Sequence, residues 1–243
     1  MKSKWIALFL SVVLALSTAG CAGAGNQSTQ SAQPTDPADP TPAQPEEEQT
    51  EEEPQEQTRE EKLLASGEAG SGRAYTDLGK MYESGNGVEQ NYAKALECYI
   101  LSAEAAEPDF KGMRLAGLMY LNGTGVEQDS AKAAECFEAA AEAGDVSGAY
   151  FLGVLYETGN GVEQSDAEAR KWYEKAVSTV DEFLSNSRNN GPDELKLALC
   201  RLAEIALAEG DTDTAVTYYQ YAAQLGWSAA EEALAALGAE AGE

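Results

Sequence analysis

The chain has 243 residues, 43% of them hydrophobic, which suits one medium domain or a short repeat array with attachments. Sixteen basic against 42 acidic side chains give a formal charge of −26, a surface that repels nucleic acid instead of releasing its counterions. Histidine is absent, which excludes a Ser-His-Asp triad, a Cys-His dyad and histidine-ligated zinc.

Residues 1–20 have the layout of a secretory signal. Lys2 and Lys4 precede an apolar stretch from Trp5 to Leu16, short for a permanent membrane helix, and small residues then lead to Cys21. The ending Leu16-Ser17-Thr18-Ala19-Gly20-Cys21 resembles the lipobox of bacterial lipoproteins. The resemblance implies cleavage before Cys21, lipidation of its thiol, and a location on the extracytoplasmic side of a cell membrane. An ordinary signal peptide with an incidental cysteine is the competing reading. Two acyl chains, at ~0.8 kcal/mol per buried CH₂, hold a protein on a membrane durably where one does not. Loss of residues 1–20 leaves 14 basic and 42 acidic side chains, a charge of −28.

Residues 21–58 read as a tether. The stretch holds Pro34, Pro37, Pro40, Pro42, Pro45 and Pro54 and no aromatic residue, so it has nothing from which to build a core. Nine glutamates crowd between positions 46 and 61, and their mutual repulsion favours a solvated, disordered chain. A flexible chain of ~37 residues spans roughly 35 Å, more when stiffened by proline and charge. Residues 59–71 follow as a leading cap helix, since Glu60–Ala69 before Gly70 matches the end of a repeat unit.

Residues 72–180 repeat. Tyr82-Glu-Ser-Gly85-Asn-Gly87-Val88-Glu-Gln90 recurs from Tyr120 through Gly123, Gly125 and Val126 to Gln128, and again from Tyr156 through Gly159, Gly161 and Val162 to Gln164. The intervals are 38 and 36 residues, the extra two falling around Glu107-Pro108. In each unit a first helix ends at the tyrosine, the glycines reverse the chain, and a second helix follows. Gly79, Gly117 and Gly153 each cost about 1 kcal/mol of helix propensity against alanine, a cost explained if two helices approach closely there. Ala95, Tyr99 and Ala103, like Ala133, Phe137 and Ala141, form an apolar stripe on the second helix. The loop glycines supply positive φ, and Val88, Val126 and Val162 fold back onto the pair.

The series Leu78-Gly79, Tyr82, Gly85-x-Gly87-Val88, Lys94-Ala95 and Tyr99, with its copies through Tyr173, resembles the Sel-one-like repeat, a relative of the tetratricopeptide repeat with a longer inter-helix loop. The resemblance implies an all-α fold, an α-solenoid of antiparallel helix pairs behind the acidic linker. Where the family usually has an aromatic, as at Trp172, the first two units have Cys98 and Cys136, and Leu78 becomes Ala116.

Residues 181–192 read as a linker broken at Asn189-Asn190-Gly191-Pro192, after which Asp193 is placed to cap the next helix. Residues 193–226 form a degenerate, tetratricopeptide-like repeat. Leu202 to Tyr218 spans 16 residues against 20 from Leu152 to Trp172, so its loop is shorter. Residues 227–243 supply a C-terminal cap helix and tail, covering the last exposed face as repeat arrays require.

No constellation carries chemistry. The Gly-x-Gly loops lack the third glycine of a dinucleotide fingerprint and follow helices. Cys98, Cys136 and Cys200 read as small buried hydrophobes, with stacked-repeat spacing too wide for a Cys98–Cys136 bridge. Asp211-Thr-Asp213 lacks the glycine and glutamate of a calcium loop and reads as a helix N-cap. No metal or cofactor site is expected, and the chain reads as a non-enzyme.

What remains is the face lined by the first helices, the concave side of such an array. Asp77 and Lys80, Leu115 and Leu118, and Phe151 and Val154 occupy equivalent positions around Gly79, Gly117 and Gly153. They offer an apolar strip beside a polar first unit, suited to an extended peptide or partner helix with basic residues meeting the rim carboxylates. Packing between units is the competing account of the same side chains. The expected function is a membrane-anchored scaffold for an envelope or secreted protein. The alternative is an accessory subunit that binds a peptide or cell-wall fragment for an envelope enzyme or transport system.

Overall fold

The structure, a computed structural model, describes residues 57–185 and 191–240. The signal segment, Cys21 and the tether up to residue 56 lie outside the described residues. So do Asn189 and Asn190 of the predicted break.

All regular structure among the described residues is helical. A leading helix, α1 (Arg59–Glu68), precedes three pairs: α2 (Gly72–Ser84) with α3 (Tyr92–Glu104), α4 (Lys111–Asn122) with α5 (Ser130–Glu142), and α6 (Val146–Thr158) with α7 (Asp166–Val177). A short helix α8 (Val180–Ser185) stands within the segment read from sequence as linker. The fourth pair is α9 (Asp193–Ala208) with α10 (Thr212–Gln224), and α11 (Ser228–Glu240) follows. Each helix of the array packs on its sequence neighbours, and α9 passes over α8 to lie on α6 and α7. This is an α-solenoid.

Local chemistry sets the helix ends. Asn91, Asp129 and Ser165 accept from the backbone N–H three residues on, at 3.0, 3.0 and 3.2 Å, relieving orphan donors at the starts of α3, α5 and α7. Gly85, Gly123 and Gly159 close α2, α4 and α6 in the left-handed region, with φ of 70°, 67° and 69°. These first helices therefore run two residues beyond Tyr82, Tyr120 and Tyr156, where the sequence pattern places their ends. Asp193 is not a cap: Pro192 holds the N-cap position without a side-chain bond, and the Asp193 carboxylate takes Lys196 at 2.9 Å instead. Asp211 does cap α10, accepting from Thr214 N–H at 3.1 Å.

The small glycines mark a close approach within each pair. A Cβ on Gly79, Gly117 or Gly153 would stand 2.5, 2.6 or 2.5 Å from a ring carbon of Tyr99, Phe137 or Tyr173. The three rings have 0% exposure, so each contributes on the order of 1.5–3 kcal/mol of burial. In α3 the stripe departs from expectation. Ala103 is only half-buried, and the fully buried position is Ser102, whose hydroxyl donates to the carbonyls of Tyr99 and Asp109 at 2.6 and 2.9 Å. Ser102 is covered by the next unit's first helix, where a Cβ on Gly112 would stand 2.0 Å from its hydroxyl oxygen.

Successive units lock through their loops. A Cβ on Gly125 would fall 2.1 Å from Tyr92 Cβ, and one on Gly161 2.3 Å from the Ser130 carbonyl carbon. Each loop thus lies on the first residue of the preceding unit's second helix. The longer first connection is tied by a parallel bridge, with Gly72 N–H on Glu107 O and Glu107 N–H on Gly70 O, both 2.9 Å. At the leading end, Thr58 and Glu61 form a reciprocal capping box, and Tyr82 donates to Glu60 at 2.5 Å.

Candidate functional site

All six residues singled out on the first helices lie on their exposed or half-buried side. Leu118, Phe151 and Val154 share one core cluster, centred on Phe137, Leu152 and Tyr173. Phe151 stacks on Phe137 with centroids 5.2 Å apart and meets Tyr150 edge-on at 5.6 Å. Leu115 packs against the neighbouring cluster with Leu78, Tyr99 and Cys136. Each apolar side chain therefore divides its surface between unit packing and solvent. The strip has a packed underside and an accessible top.

Asp77 and Lys80 form an ion pair at 3.5 Å with both side chains well exposed, a contact worth little to stability. They line a cavity of about 390 Å³ at the first unit boundary, together with Arg73, Glu107, Asp109 and Lys111. Three cations and three carboxylates face the same space. In a chain of −26 this is a locally balanced patch, its three positive charges matching its three negative ones. Sequence reasoning singled out Asp77 and Lys80 on the first-helix face and missed Arg73 and Lys111, because the longer connection through Glu107 and Asp109 brings the latter alongside.

The pairs of Tyr99 with Glu83 and Tyr173 with Glu157 were also missed. Each hydroxyl donates to a carboxylate oxygen at 2.5 Å. Burial, with the neighbouring carboxylate, holds both tyrosines well above their ordinary pKa of 10.0. The loop glutamines have a structural role as well: Gln90, Gln128 and Gln164 donate to the carbonyls of Glu83, Leu121 and Glu157 at 2.8, 2.8 and 2.9 Å. Those carbonyls lie in the last turns of the first helices, where intrahelical donors run out.

The thiols are built for packing. Burial pushes Cys98 up to about 11 and Cys136 to about 12. Cys200, on a first helix and not at their equivalent position, is half-buried and pushed to about 11 by the same cause. All three are free. Among the described residues no group of three or more Cys, Asp or Glu is arranged to hold a metal ion, and no described helix is long and apolar enough to cross a membrane.

The repeating geometry matches a known family. The family described as Sel1 repeat covers residues 72–106, 111–145, 146–178 and 196–227, more than half of the chain. The chain belongs to the Sel1 repeat family. The fourth match includes the unit whose short loop looks tetratricopeptide-like. Similar solved structures support the assignment. A protective antigen of uropathogenic Escherichia coli strains with an SLR fold is 29% identical, with a TM-score of 0.57 over 70% of this chain and 34% of that one. A Sel1 repeat protein from Oxalobacter formigenes is 26% identical, with a TM-score of 0.56 over 72% of each chain. The chain thus spans about a third of the first relative's length. No curated protein matches it. Sel1 repeats form a non-catalytic scaffold fold that generally mediates protein–protein interaction.

Proposed function

We propose that the protein is a lipid-anchored scaffold on the extracytoplasmic face of a cell membrane, binding an envelope or secreted protein through the first-helix face of its Sel1 array. The observation that carries this reading is the row of Leu115, Leu118, Phe151 and Val154, anchored from below by core packing yet open above. Such a row binds without reorganising, since its rotamers are already fixed and little side-chain entropy remains to be lost. The partner presents an apolar segment, extended or helical, flanked by basic residues that the anionic surface attracts. The lipobox-like sequence ending at Cys21 supports the anchor. In this reading the protein performs no bond-making of its own.

Two measurements test it. Cys21→Ser in the natural host should abolish incorporation of labelled fatty acid and release the protein from the membrane fraction; unchanged fractionation would remove the anchor from the account. Alanine at Leu118 or Val154 should weaken partner binding while lowering the melting temperature only by the little that the lost underside packing contributes. Loss of stability with unchanged affinity would assign the strip to packing alone.

A second reading draws on the polar cavity at the first boundary. Its cations and carboxylates suit a zwitterionic ligand such as a peptide terminus or cell-wall fragment. Binding of such a fragment by the purified protein, lost on Asp77→Ala with Lys80→Ala, would favour an accessory subunit that recognises small ligands.

A further inference from the structure

A second cavity, of about 260 Å³, lies at the boundary of the third and fourth units, and none of the six strip residues lines it. Its accessible lining is apolar, Ile205 and Ala208 of α9 standing over the buried Ala169 and Tyr173 of α7. Its origin is visible by comparison with the two preceding boundaries. There the following unit's loop covers the start of the preceding second helix, Gly125 lying against Tyr92 and Gly161 against Ser130. Val126 and Val162 from those loops pack against the clusters that hold Ala95 with Tyr99 and Ala133 with Phe137. The equivalent residues of the third unit are Asp166, Ala169 and Tyr173. The fourth unit has only Glu209, Gly210 and Asp211 between α9 and α10, and a Cβ on Gly210 would meet nothing within 4 Å. No loop covers exposed Asp166 and no loop valine stands at this boundary, where the short loop reaches α7 through the Glu209–Arg170 ion pair.

The rim is acidic. Glu157, Asp166 and Glu204 surround the opening, and Asp166 makes no ion pair among the described residues. The one cation, Arg201, is already engaged, donating to Glu204 at 2.8 Å and standing 3.9 Å from Glu157. We propose that this cavity docks a loop or extended segment of a partner protein in which a branched aliphatic residue is followed by basic residues. The aliphatic side chain takes the position that Val126 and Val162 fill at the other boundaries, and the basic residues meet Asp166 and Glu204. The chain's own loops follow their valines with Glu89, Glu127 and Glu163, so a second copy presents the wrong charge to this rim. The surface is independent of the first-helix strip and stands or falls separately from it.

Fluorescence anisotropy with the full chain in detergent micelles tests the proposal, using three end-blocked, fluorescein-labelled peptides. Gly-Asn-Gly-Val-Lys-Lys should bind. Gly-Asn-Gly-Val-Glu-Gln, the chain's own sequence, and Gly-Asn-Gly-Ser-Lys-Lys should each bind roughly tenfold more weakly, one lacking the charge and the other the aliphatic group. Ala208→Trp, which fills the mouth from an exposed position, should abolish binding. Asp166→Lys, on the exposed first turn of α7, should weaken the lysine peptide even if the tryptophan variant fails to fold. Leu118→Ala should leave the affinity unchanged. Equal affinity for the peptide ending in Glu-Gln would overturn the proposal and favour a second copy as occupant. Binding unaffected by Asp166→Lys, or no binding of the lysine peptide at millimolar concentration, would also overturn it.

Discussion

Tyr99 donates its hydroxyl proton to Glu83 at 2.5 Å, and Tyr173 does the same to Glu157, while in the intervening unit both positions turn apolar together. There the ring is Phe137, and Leu121 packs against its cluster in place of the glutamate. The hydroxyl of the fully buried ring needs an acceptor, and the half-buried carboxylate at the helix end supplies it. The two positions therefore change as a pair. Tyr99→Phe should destabilise the protein by about 1.5–3 kcal/mol, the range for hydrogen bonds to charged groups. The double variant Tyr99→Phe with Glu83→Leu, which copies the second unit, should cost less than the sum of the two single changes. Denaturant unfolding of the four proteins measures the coupling, and strict additivity would show that the pair contributes nothing.

The same tyrosines set an alkaline limit. Tyr82 is raised from 10.0 to about 12, chiefly by its hydrogen bond to Glu60, and Tyr99 and Tyr173 are raised further by burial and their glutamates. A folded-state pKa above the unfolded value contributes stability that is complete below the unfolded pKa and is lost as pH rises toward the folded one. The melting temperature should therefore hold steady below pH 10 and fall from pH 10 toward pH 12 and beyond. The Phe/Leu double variant should fall less steeply. A flat profile through that window would separate these bonds from stability.

Two glycine-to-alanine changes should have opposite signs. In Gly117→Ala the new methyl would stand 2.6 Å from a ring carbon of Phe137, which is fully buried and has nowhere to move. Overpacking of about 1–3 kcal/mol then exceeds the helix-propensity gain of about 1 kcal/mol. Gly238, in α11, meets nothing within 4 Å. Gly238→Ala should keep the propensity gain and raise the melting temperature. Thermal melts of both variants check the pair, and stabilisation by Gly117→Ala would contradict the close approach.

These contrasts show what the sequence made legible. The close contacts at Gly79, Gly117 and Gly153 could be read because a repeated glycine inside a helix has a propensity cost that calls for a packing reason. The Tyr–Glu pairs were equally readable in principle, since Glu83, Leu121 and Glu157 vary in step with Tyr99, Phe137 and Tyr173 across three copies. The pattern was overlooked because the glutamates sit in a helix end that looks merely polar. Asp193 misled because Pro192 already holds the cap position, leaving its carboxylate for Lys196. The cavity beside Asp166 follows from a loop length visible in the sequence, but its acidic rim depends on Arg201 and Glu204 arriving from α9. No local pattern encodes that approach.

Thiol chemistry offers an independent check on burial. With Cys98 raised from 9.0 to about 11, its thiolate fraction near pH 8 is about a hundredfold lower than that of a free cysteine, and that of Cys136 lower still. Alkylation of the native protein at pH 8, mapped by peptide mass spectrometry, should label Cys200 first, because it is only half-buried, and Cys136 last. Denaturation should equalise the three. Rapid native labelling of Cys136 would mean that the second unit opens readily.

The most direct test of the scaffold reading is site-specific photo-crosslinking in living cells that express the full chain. A photoreactive amino acid at Leu118, on the first-helix strip, should yield one discrete protein adduct, and the same group at exposed Glu97 on α3 should yield none. No adduct from position 118, or the same adducts from both positions, would contradict the claim that this face is where the protein meets its partner.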